Sequence, residues 1–363
     1  MRIAQIAPLV ESVPPSLYGG TERVVAFLTE ELVGQGHEVT LFASGDSLTS
    51  ASLVPCVDRA LRLNAGVRDH IPYYMVMLKE VHRRASQFDV LHFHVDTLHL
   101  PVFNGILANR TVTTLHNRLD SPDLKALYEG FARMPLVSVS DAQRSQISHD
   151  NFAGTVLHGL PKDVLAPTLQ PVGGYLAFLG RIAPEKRVDR AIAIARAVGL
   201  PLRIAAKVDR ADESYFRSEI QPLLSQPGIE FIGEINERQK AGFLGNALAL
   251  LFPIDWPEPF GLVMIEAMAC GTPILGFNRG SVPEVLENGL SGFVVESVDE
   301  AIAAIGPLLE LDRARVRRRF ERRFTADRMA RDYVAIYEEL MRDRQLPPSP
   351  RAVEKASALI LAD

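Results

Sequence analysis

The feature that most constrains the fold is a regular alternation of short apolar segments and helical patterns, which occurs twice along the 363 residues. Short apolar segments followed by amphipathic stretches are typical of β/α units whose parallel strands are buried on both faces. Segments of the first block begin at Ile3, Val39, Val90, Thr111 and Leu136, and those of the second block at Tyr175, Leu202, Ile229, Ala249 and Pro273. The alternation predicts an α/β chain of two doubly wound domains, with ligands bound in a cleft beyond the carboxyl ends of the strands.

A segment that contains several Pro and Gly residues, 161–174, separates the two blocks and is predicted to be the interdomain linker. We therefore predict an N-terminal domain over residues 1–165 and a C-terminal domain over 166–324. Helices of the second domain are predicted at Val188–Val198, Ser214–Leu224, Glu237–Ala247, Leu262–Cys270 and Val282–Leu286. Residues 44–64 read as a less regular stretch.

The end of the chain is rich in arginine and is predicted to be helical from Asp312 to Arg344. A run of like charges on a helix is typical of a solvated face, and the alternative is a helix that contacts lipid phosphates. Residues 325–345 are assigned to a C-terminal helix and residues 346–363 to a tail.

Composition narrows the class of function. A net charge of −5 and the lack of an aromatic-rich basic patch argue against a nucleic-acid-binding protein. Two cysteines are too few for a disulfide framework, and no apolar run approaches the roughly 20 residues of a membrane span. The N-terminal residues read as a strand rather than a signal peptide. We expect a cytoplasmic protein, with peripheral contact at the inner face of a membrane as an alternative.

Two carboxylates bracket the stretch Glu258-Pro-Phe-Gly-Leu-Val-Met-Ile-Glu266. Pro259 and Gly261 predict a tight loop that leads into an apolar, buried helix. A buried carboxylate such as Glu266 is costly unless it is hydrogen-bonded, and no basic residue lies within four positions of it. Its partner is therefore distant in sequence or a ligand. Amides at the helix start would point towards an anion, and these belong to Phe260, Gly261 and Leu262. The stretch suggests a polyhydroxylated, phosphate-bearing ligand.

Further candidates for anion binding follow predicted strands. Arg181 and Lys186 flank a Pro turn directly after a strand, so both could reach a diphosphate whose charge grows as a bond breaks. Taken alone, the pair also reads as two surface charges. The loop Tyr18-Gly19-Gly20-Thr21 allows close backbone approach to phosphate. The chain has no G-x-x-x-x-G-K-[ST] and no G-x-G-x-x-G after either first strand, which argues against a nucleoside triphosphatase and a dinucleotide dehydrogenase.

Histidines mark two more strand ends. His92, His94 and Asp96 alternate, so one strand face could carry all three, and a metal site is one interpretation of that spacing. The other interpretation places His92 in the core and His94 in the cleft. His116-Asn117-Arg118 after the next strand is a second cleft candidate or a simple loop.

Taken together, these residues resemble the GT-B glycosyltransferases, in particular the large retaining family four, also called group 1 glycosyl transferases. The most specific part is Glu258 to Glu266, extended by Ala267-Met-Ala-Cys-Gly-Thr-Pro273 and Gly280-Ser-Val-Pro-Glu284. Gly180 to Lys186, Tyr18-Gly-Gly20 and Asp89 to His94 agree in the same order. The resemblance extends from Met1 to about Arg342. It implies two Rossmann-like domains that face each other across a cleft, with the C-terminal helix crossing back to the N-terminal domain.

The resemblance also implies roles for residues. Glu258 would lie beside the donor sugar, His94 near the sugar on the acceptor side, and Arg181 and Lys186 at the leaving diphosphate; these four form the expected catalytic set. Glu266 would bind the ribose hydroxyls. The remaining residues expected at the donor are Gly19, Gly20, Lys207, Gly233, Glu234, Ile235, Phe260, Gly261 and Leu262.

The implied reaction is transfer of a hexose from a nucleotide-diphosphate sugar, with UDP-glucose favoured, to a hydroxyl acceptor that is a polysaccharide or lipid-linked. The resemblance implies retention of anomeric configuration and no metal or other cofactor. Some positions depart from the family pattern: Ala205-Ala206-Lys207 replaces a Gly-x-Gly, Pro253-Ile-Asp-Trp-Pro257 replaces a Pro-Ser, and the hinge signature appears as Leu157-His-Gly-Leu160. Alternatives of related fold are a nucleotide-sugar epimerase, a hydrolase or phosphorylase, and a non-catalytic nucleotide-sugar binding protein.

Overall fold

The computed structural model describes residues 1–16, 19–148 and 151–345. Tyr18 of the predicted glycine loop and the predicted tail 346–363 lie outside the described residues. Two parallel sheets form the centre of the molecule, one of seven strands and one of six, as the alternation of the sequence predicts. Within the described ranges, no helix is both long enough and apolar enough to cross a bilayer.

The N-terminal sheet has the strand order β3-β2-β1-β4-β5-β6-β7. Its strands are β1 (Arg2–Ile6), β2 (Glu38–Ser44), β3 (Ser52–Val57), β4 (Val90–Phe93), β5 (Thr111–Thr114), β6 (Leu136–Ser138) and β7 (Phe152–Thr155). The helices of this part are α1 (Gly20–Gly34), α2 (Ile71–Arg84), α3 (Leu100–Phe103), α4 (Pro122–Gly130) and α5 (Asp141–Arg144). Strand β3 lies in the stretch expected to be irregular. Pro55 within it cannot donate to a neighbour, which is tolerated because β3 is an edge strand.

The C-terminal sheet has the strand order β10-β9-β8-β11-β12-β13. Its strands are β8 (Leu176–Ile182), β9 (Leu202–Val208), β10 (Ile229–Gly233), β11 (Ala249–Phe252), β12 (Ile274–Phe277) and β13 (Gly292–Val295). Its helices are α6 (Val188–Ala197), α7 (Glu213–Tyr215), α8 (Gln221–Leu224), α9 (Glu237–Gly245), α10 (Leu262–Ala269), α11 (Val282–Val285) and α12 (Val298–Leu309). A π-helical turn, Phe216–Ile220, joins α7 to α8, so the helix predicted over 214–224 is irregular. Pro222 explains the irregularity, because it lacks the N–H that a regular helix needs there.

The predicted helix from 312 to 344 is in fact two helices, α13 (Arg313–Arg323) and α14 (Ala326–Gln345). The break lies at Phe324 and Thr325, where the Leu160 amide donates to the Phe324 carbonyl at 2.9 Å and the Ala326 amide donates to the Leu160 carbonyl at 2.8 Å. Helix α13 packs against α10 of the C-terminal sheet, and α14 packs against α1 of the N-terminal sheet. The C-terminal helix therefore crosses back to the N-terminal domain.

Two arginines of α13 are largely buried, so the expectation of a solvated face is wrong for them. Arg313 donates to the carbonyls of Thr168, Gly245 and Ala247 at 2.7–2.9 Å. Arg317 donates to three further carbonyls, those of Lys162, Leu165 and Ala269. Burial lowers the pKa of Arg313 to about 10. These bonds fasten the segment predicted as linker to the C-terminal domain.

Helix α14 brings two buried tyrosines under the N-terminal sheet. The Tyr337 hydroxyl lies 2.7 Å from Nδ1 of His92 and 3.3 Å from the Gln5 side-chain nitrogen. The Tyr333 hydroxyl lies 2.9 Å from Oγ1 of Thr114. Buried polar groups need such partners. The polar side chains of three central strands are thus satisfied by the end of the chain.

Candidate active site

A cavity of about 550 Å³ lies between the domains, at the carboxyl ends of both sheets. Its N-terminal wall comes from the start of α1, from Arg62 and from the loops after β5 and β7. Its C-terminal wall comes from the carboxyl ends of β8 and β9 and from the loops after β8, β10 and β11. Most residues expected at a donor line this cavity: Gly19, Gly20, Arg181, Lys186, Lys207, Glu234, Ile235, Glu258, Phe260, Gly261, Leu262 and Glu266. The sequence prediction therefore brings together residues that are distant along the chain.

The loop that carries Glu258 is held by close backbone packing. Gly280 has φ +56, and a Cβ there would lie 2.4 Å from both the amide nitrogen and the carbonyl oxygen of Glu258. The Ser281 amide donates to the Glu258 carbonyl at 3.0 Å. Only glycine allows this approach, which gives the Gly280-Ser281 pair of the sequence motif a physical role.

The N-terminal domain also holds the Glu258 loop. Ser140, at the start of α5, donates its hydroxyl to the Pro259 carbonyl at 2.6 Å. Glu284 of α11 accepts from the amides of Asp141 and Ala142 at 2.9 and 2.6 Å. Amides in a first helical turn have no partner within the helix, so a carboxylate there is stabilised. These contacts join the two domains beside the cavity.

Glu258 is buried and accepts two hydrogen bonds on one oxygen. Lys186 Nζ lies 2.6 Å from Oε2, and the indole N–H of Trp256 donates to the same atom at 2.8 Å. Lys186 ends a short 3₁₀ turn, Pro184–Lys186, directly after β8. Both hydrogen bonds go to Oε2. Among the described residues no side chain bonds Oε1, so this oxygen is the one that can accept a hydrogen bond from a ligand. Lys186 and Glu258, expected at the diphosphate and at the sugar, form an ion pair.

Glu266 is buried and lies in a network of four charged side chains, of which Glu237 is 33% exposed. Lys240 Nζ is 2.6 Å from its Oε1, and Arg23 of the N-terminal domain is 3.6 Å from the same atom. Glu237 accepts from Arg23 at 2.6 Å and lies 3.1 Å from Lys240. Desolvation raises the pKa of Glu266, but the charges of Lys240 and Arg23 and the hydrogen bond from Lys240 lower it more, so the net pKa is lowered. The missing partner of Glu266 is thus a residue distant in sequence.

Arg181 and Lys207 form a second charged wall. Arg181 lies 2.6 Å from Glu185, 3.6 Å from Asp209 and 3.7 Å from Asp212, and Lys207 Nζ lies 2.6 Å from Asp209. Both cations line the cavity. The shared carboxylate orients them and moderates the positive charge that they present to a ligand.

His94, which was expected to face the cleft, does not line the cavity. Its side chain is buried at 2% exposure, with Nε2 2.7 Å from Gln5 Oε1 and Nδ1 2.9 Å from Nε2 of His116. His94 directly continues β4, as its amide donates to the Ile6 carbonyl of β1, and its ring centroid lies 4.0 Å from that of His92. His116, the second candidate, lines the cavity, with His158 stacked on it at 5.4 Å. His116 and His158, rather than His94, are the histidines of the described residues that line the cavity.

We call His92, His94, His116 and His158 the buried histidine cluster. Burial lowers the pKa of each, to about 3 for His116. Neutral rings can both donate and accept, which suits a chain of hydrogen bonds. The cluster runs from the cavity wall to Tyr337 of α14.

The metal interpretation of His92, His94 and Asp96 finds no support in the geometry. His92 is hydrogen-bonded to Tyr337 and Thr114, and His94 to Gln5 and His116. Asp96 accepts a hydrogen bond from Asn117 at 2.7 Å. Over residues 1–16, 19–148 and 151–345, no group of three or more metal-binding side chains converges.

The glycine loop and the expected base segment also have defined places. Gly19 has φ +154, and a Cβ there would lie 2.8 Å from Pro15. Gly20 opens α1 and faces Leu262 of α10 across the cavity, since a Cβ on it would lie 3.5 Å from the leucine methyl. Gly233 has φ +77 and does not line the cavity, whereas the two residues after it do.

Sequence reasoning missed several lining residues, namely Arg23, Arg62, Lys240 and Trp256. Trp256 lies in the segment that departs from the family pattern, and Lys240 lies on a predicted helix at a position with no distinguishing mark. The departure of residues 253–257 from the family pattern is the one sequence signal that could have marked Trp256 as part of the site.

Comparison with known proteins agrees with this arrangement. Residues 18–199 match the model of Glycosyltransferase Family 4, and residues 171–324 match the model of Glycosyl transferases group 1. The phosphatidyl-myo-inositol mannosyltransferase of Mycobacterium leprae (strain TN) is 27% identical over 340 residues, which cover 84% of this chain and 86% of the relative.

Two solved structures share the fold. AviGT4, a glycosyltransferase involved in avilamycin A biosynthesis, is 23% identical with a TM-score of 0.71, over 94% of this chain and 98% of its own. HepE of Anabaena, solved in complex with UDP-glucose, is 15% identical with a TM-score of 0.67, over 93% and 100%. With two facing parallel sheets, a cavity between them and these matches, the chain belongs to glycosyltransferase family 4, the group 1 glycosyltransferases, and is a glycosyltransferase of GT-B fold.

Proposed function

We propose that the protein transfers a hexose from a nucleotide-diphosphate sugar to a hydroxyl acceptor, with retention of anomeric configuration and without a metal ion. The observation that carries the proposal is the cluster of Lys186, Trp256 and Glu258, which places a cation and a carboxylate side by side on the cavity wall. UDP-glucose is the proposed donor. Mannose is the alternative sugar, because the relative from M. leprae is named a mannosyltransferase.

In this proposal the leaving diphosphate is stabilised by fixed cations. Arg181 lies near the carboxyl end of β8, Lys186 follows that strand, and both line the cavity. Negative charge grows on the bridging phosphate oxygen as its bond to the anomeric carbon breaks, so preorganised cations favour the transition state over the ground state. The N–H groups at the start of α10 lie on the same wall and add partial positive charge.

The sugar is proposed to lie between Glu258 and His116. In this proposal, Glu258 Oε1 accepts a hydrogen bond from a sugar hydroxyl or faces the positive charge that develops at the anomeric carbon. The acceptor oxygen then bonds to the anomeric carbon on the face that the diphosphate leaves, and the acceptor proton passes to the leaving phosphate oxygen. Atoms balance without a protein nucleophile, and the products are a glycoside and a nucleoside diphosphate.

Glu266 is proposed to bind the ribose, together with Lys240 and Arg23 that hold its charge in place. The proposed acceptor is a polysaccharide or a lipid-linked hydroxyl. The name of the M. leprae relative, a phosphatidyl-myo-inositol mannosyltransferase, favours the lipid-linked class. An enzyme with such an acceptor would work at a membrane surface.

The first experiment is a panel of UDP-, GDP- and ADP-sugars tested by thermal shift in EDTA, followed by release of nucleoside diphosphate. A ligand that binds the native state raises Tm by mass action, so one selective, metal-independent hit is expected. Glu258→Gln and Lys186→Met should abolish most turnover. Lys125→Met is the matched control, because Lys125 is exposed and lies 3.9 Å from its own glutamate, Glu129.

Product stereochemistry tests the mechanism. Retention in the glycoside is expected from the same-face route. An inverted product, or a covalent glycosyl adduct on Glu258 found by mass spectrometry, would refute that route. Turnover only after a metal is added would refute the proposal that fixed cations suffice.

A further inference from the structure

Trp256 is the sole tryptophan of the sequence and lines the cavity. It lies in the loop between β11 and α10. The preceding residue, Asp255, accepts hydrogen bonds from Arg187, Arg190 and Arg279 at 3.0, 2.7 and 3.2 Å. Three cations on one carboxylate hold the loop strongly, so the indole is presented to the cavity from a fixed backbone.

The indole contacts both members of the central ion pair. Its N–H donates to Oε2 of Glu258 at 2.8 Å, and Lys186 Nζ lies 4.2 Å from the ring centroid. Lys186 also lies 2.6 Å from the same Oε2. A cation is attracted to the face of an indole, and a charged hydrogen bond has a restricted geometry. Trp256 therefore restrains the carboxylate and the ammonium group together.

The N-terminal domain reaches the same indole. Arg118, in the loop after β5, places its guanidinium carbon 5.6 Å from the ring centroid of Trp256. Arg118 is also held by Asp120, with Nε at 2.6 Å from Oδ1. The ring is thus contacted by a cation from each side of the cavity, one per domain.

We propose that Trp256 is a positioning residue that sets the geometry of Lys186 and Glu258, and that Arg118 makes this geometry depend on the position of the N-terminal domain. The inference rests on the proposed function for its consequence, since the pair is the one assigned to sugar transfer. Closure of the cleft and assembly of the reacting groups become a single event. Enzymes that close on a substrate often complete their catalytic groups in this way.

The first test is Trp256→Phe, which keeps a ring and removes the N–H donor. Loss of a hydrogen bond to a charged group corresponds to a fall in kcat of about 10- to 100-fold. Because the diphosphate cations remain, KM for the donor is expected to change by less than about 3-fold, the pattern of an interaction used in the transition state. UDP binding measured by calorimetry should persist, which shows that the variant is folded. A kcat within 2-fold of the unchanged enzyme, or an equal loss of UDP binding, would overturn the positioning role.

The second test uses the single tryptophan as a reporter. Arg118→Gln should change the emission of Trp256 without any nucleotide present, because a cation next to the indole is removed. Arg203→Gln is the matched control, since Arg203 lies 4.6 Å from the ring of Tyr175 and bonds Glu230 at 2.6 Å but does not line the cavity. The control should leave emission and kcat unchanged.

The two proposals can fail separately. If the unchanged protein transfers no sugar, the proposed function fails, whereas the emission comparison still decides whether Arg118 acts on Trp256. Emission of Arg118→Gln equal to that of the unchanged protein overturns the domain coupling. A rise in acceptor KM with unaltered emission also overturns it, because Arg118 would then bind substrate rather than the indole.

Discussion

Replacement of Lys240 by Met tests the buried charge network directly. The side chains of Lys240 and Glu266 are 9% and 4% exposed, and Nζ and Oε1 are 2.6 Å apart. At an effective dielectric constant of about 20, charges at that distance attract by about 6 kcal/mol. The ammonium group loses its hydration on burial, and this desolvation cancels several kcal/mol of the attraction. We expect Lys240→Met to lower the free energy of unfolding by about 3 kcal/mol, since Arg23 still faces the carboxylate.

The partner substitution gives the matched control. Glu266→Gln with Lys240→Met removes both charges, so the double variant should be more stable than the sum of the two single effects predicts. A coupling energy of about 2 kcal/mol is expected for groups in direct contact. Urea unfolding with an unchanged m-value is the measurement, because a changed m-value would report altered compactness rather than stability.

The effect should depend on pH with a definite sign. The pKa of Glu266 is lowered in the native protein, so its stabilising contribution is complete above the unfolded value and is lost as pH falls through the folded pKa. Without Lys240 the pKa of the Glu266 carboxyl group rises, so Glu266 takes up a proton as pH falls. A neutral carboxyl group costs less to bury, and part of the stability lost in Lys240→Met is regained. The gap between Lys240→Met and the unchanged protein should therefore narrow from pH 7.5 to pH 5. A single-variant loss below about 0.5 kcal/mol would show that the pair contributes little, as for an exposed ion pair.

Three further substitutions or conditions test other parts of the structure. Gly280→Ala should strongly reduce kcat because its Cβ would meet the Glu258 backbone at 2.4 Å, whereas Gly289→Ala, at φ +74 with open space, should cost only about 1–2 kcal/mol of stability and spare kcat. The buried histidine cluster should lower the free energy of unfolding as pH falls below 6.5, because the unfolded chain binds protons that the native state excludes. A free energy of unfolding in urea that stays constant from pH 7 to 5 would contradict this. Arg313→Met should lower unfolding free energy by about 3 kcal/mol or more, as three carbonyls lose their donor, and calorimetry that shows an unchanged Tm would refute that role.

Much of the fold follows from local patterns, because each strand is a short apolar run and each helix has a periodic face. The predicted helix Leu262–Cys270 matches α10 closely, since Gly261 and Gly271 punctuate it. The edge strands β3, β7 and β13 escape this reasoning, whereas the edge strand β10 was predicted. Strand β3 contains a proline and pairs with one neighbour, so its sequence has little of the signal of a central strand.

The site was predictable where a residue lies at or just after the carboxyl end of a strand, as Arg181 and Lys186 do. It was not predictable where packing decides which of two polar residues faces the cavity. His94 and His116 each follow a strand, and both can accept or donate hydrogen bonds. The His94 ring is buried and bonds Gln5 of β1, whereas the His116 ring lies on the cavity wall. This difference depends on packing against β1 rather than on local sequence. Lys240 escaped prediction for the same reason.

The return of α14 also sets the order in which a new chain can be completed on the ribosome. The seven strands of the first sheet are synthesised early, but His92, Gln5 and Thr114 obtain their hydroxyl partners from Tyr333 and Tyr337, which are translated after the strands of both sheets. The second sheet, by contrast, is built from one uninterrupted stretch and can finish folding while the ribosome still holds α14. The half of the enzyme that is made first is therefore the half that is completed last, and a stop codon before Tyr333 would leave the first sheet, rather than the second, without its final layer.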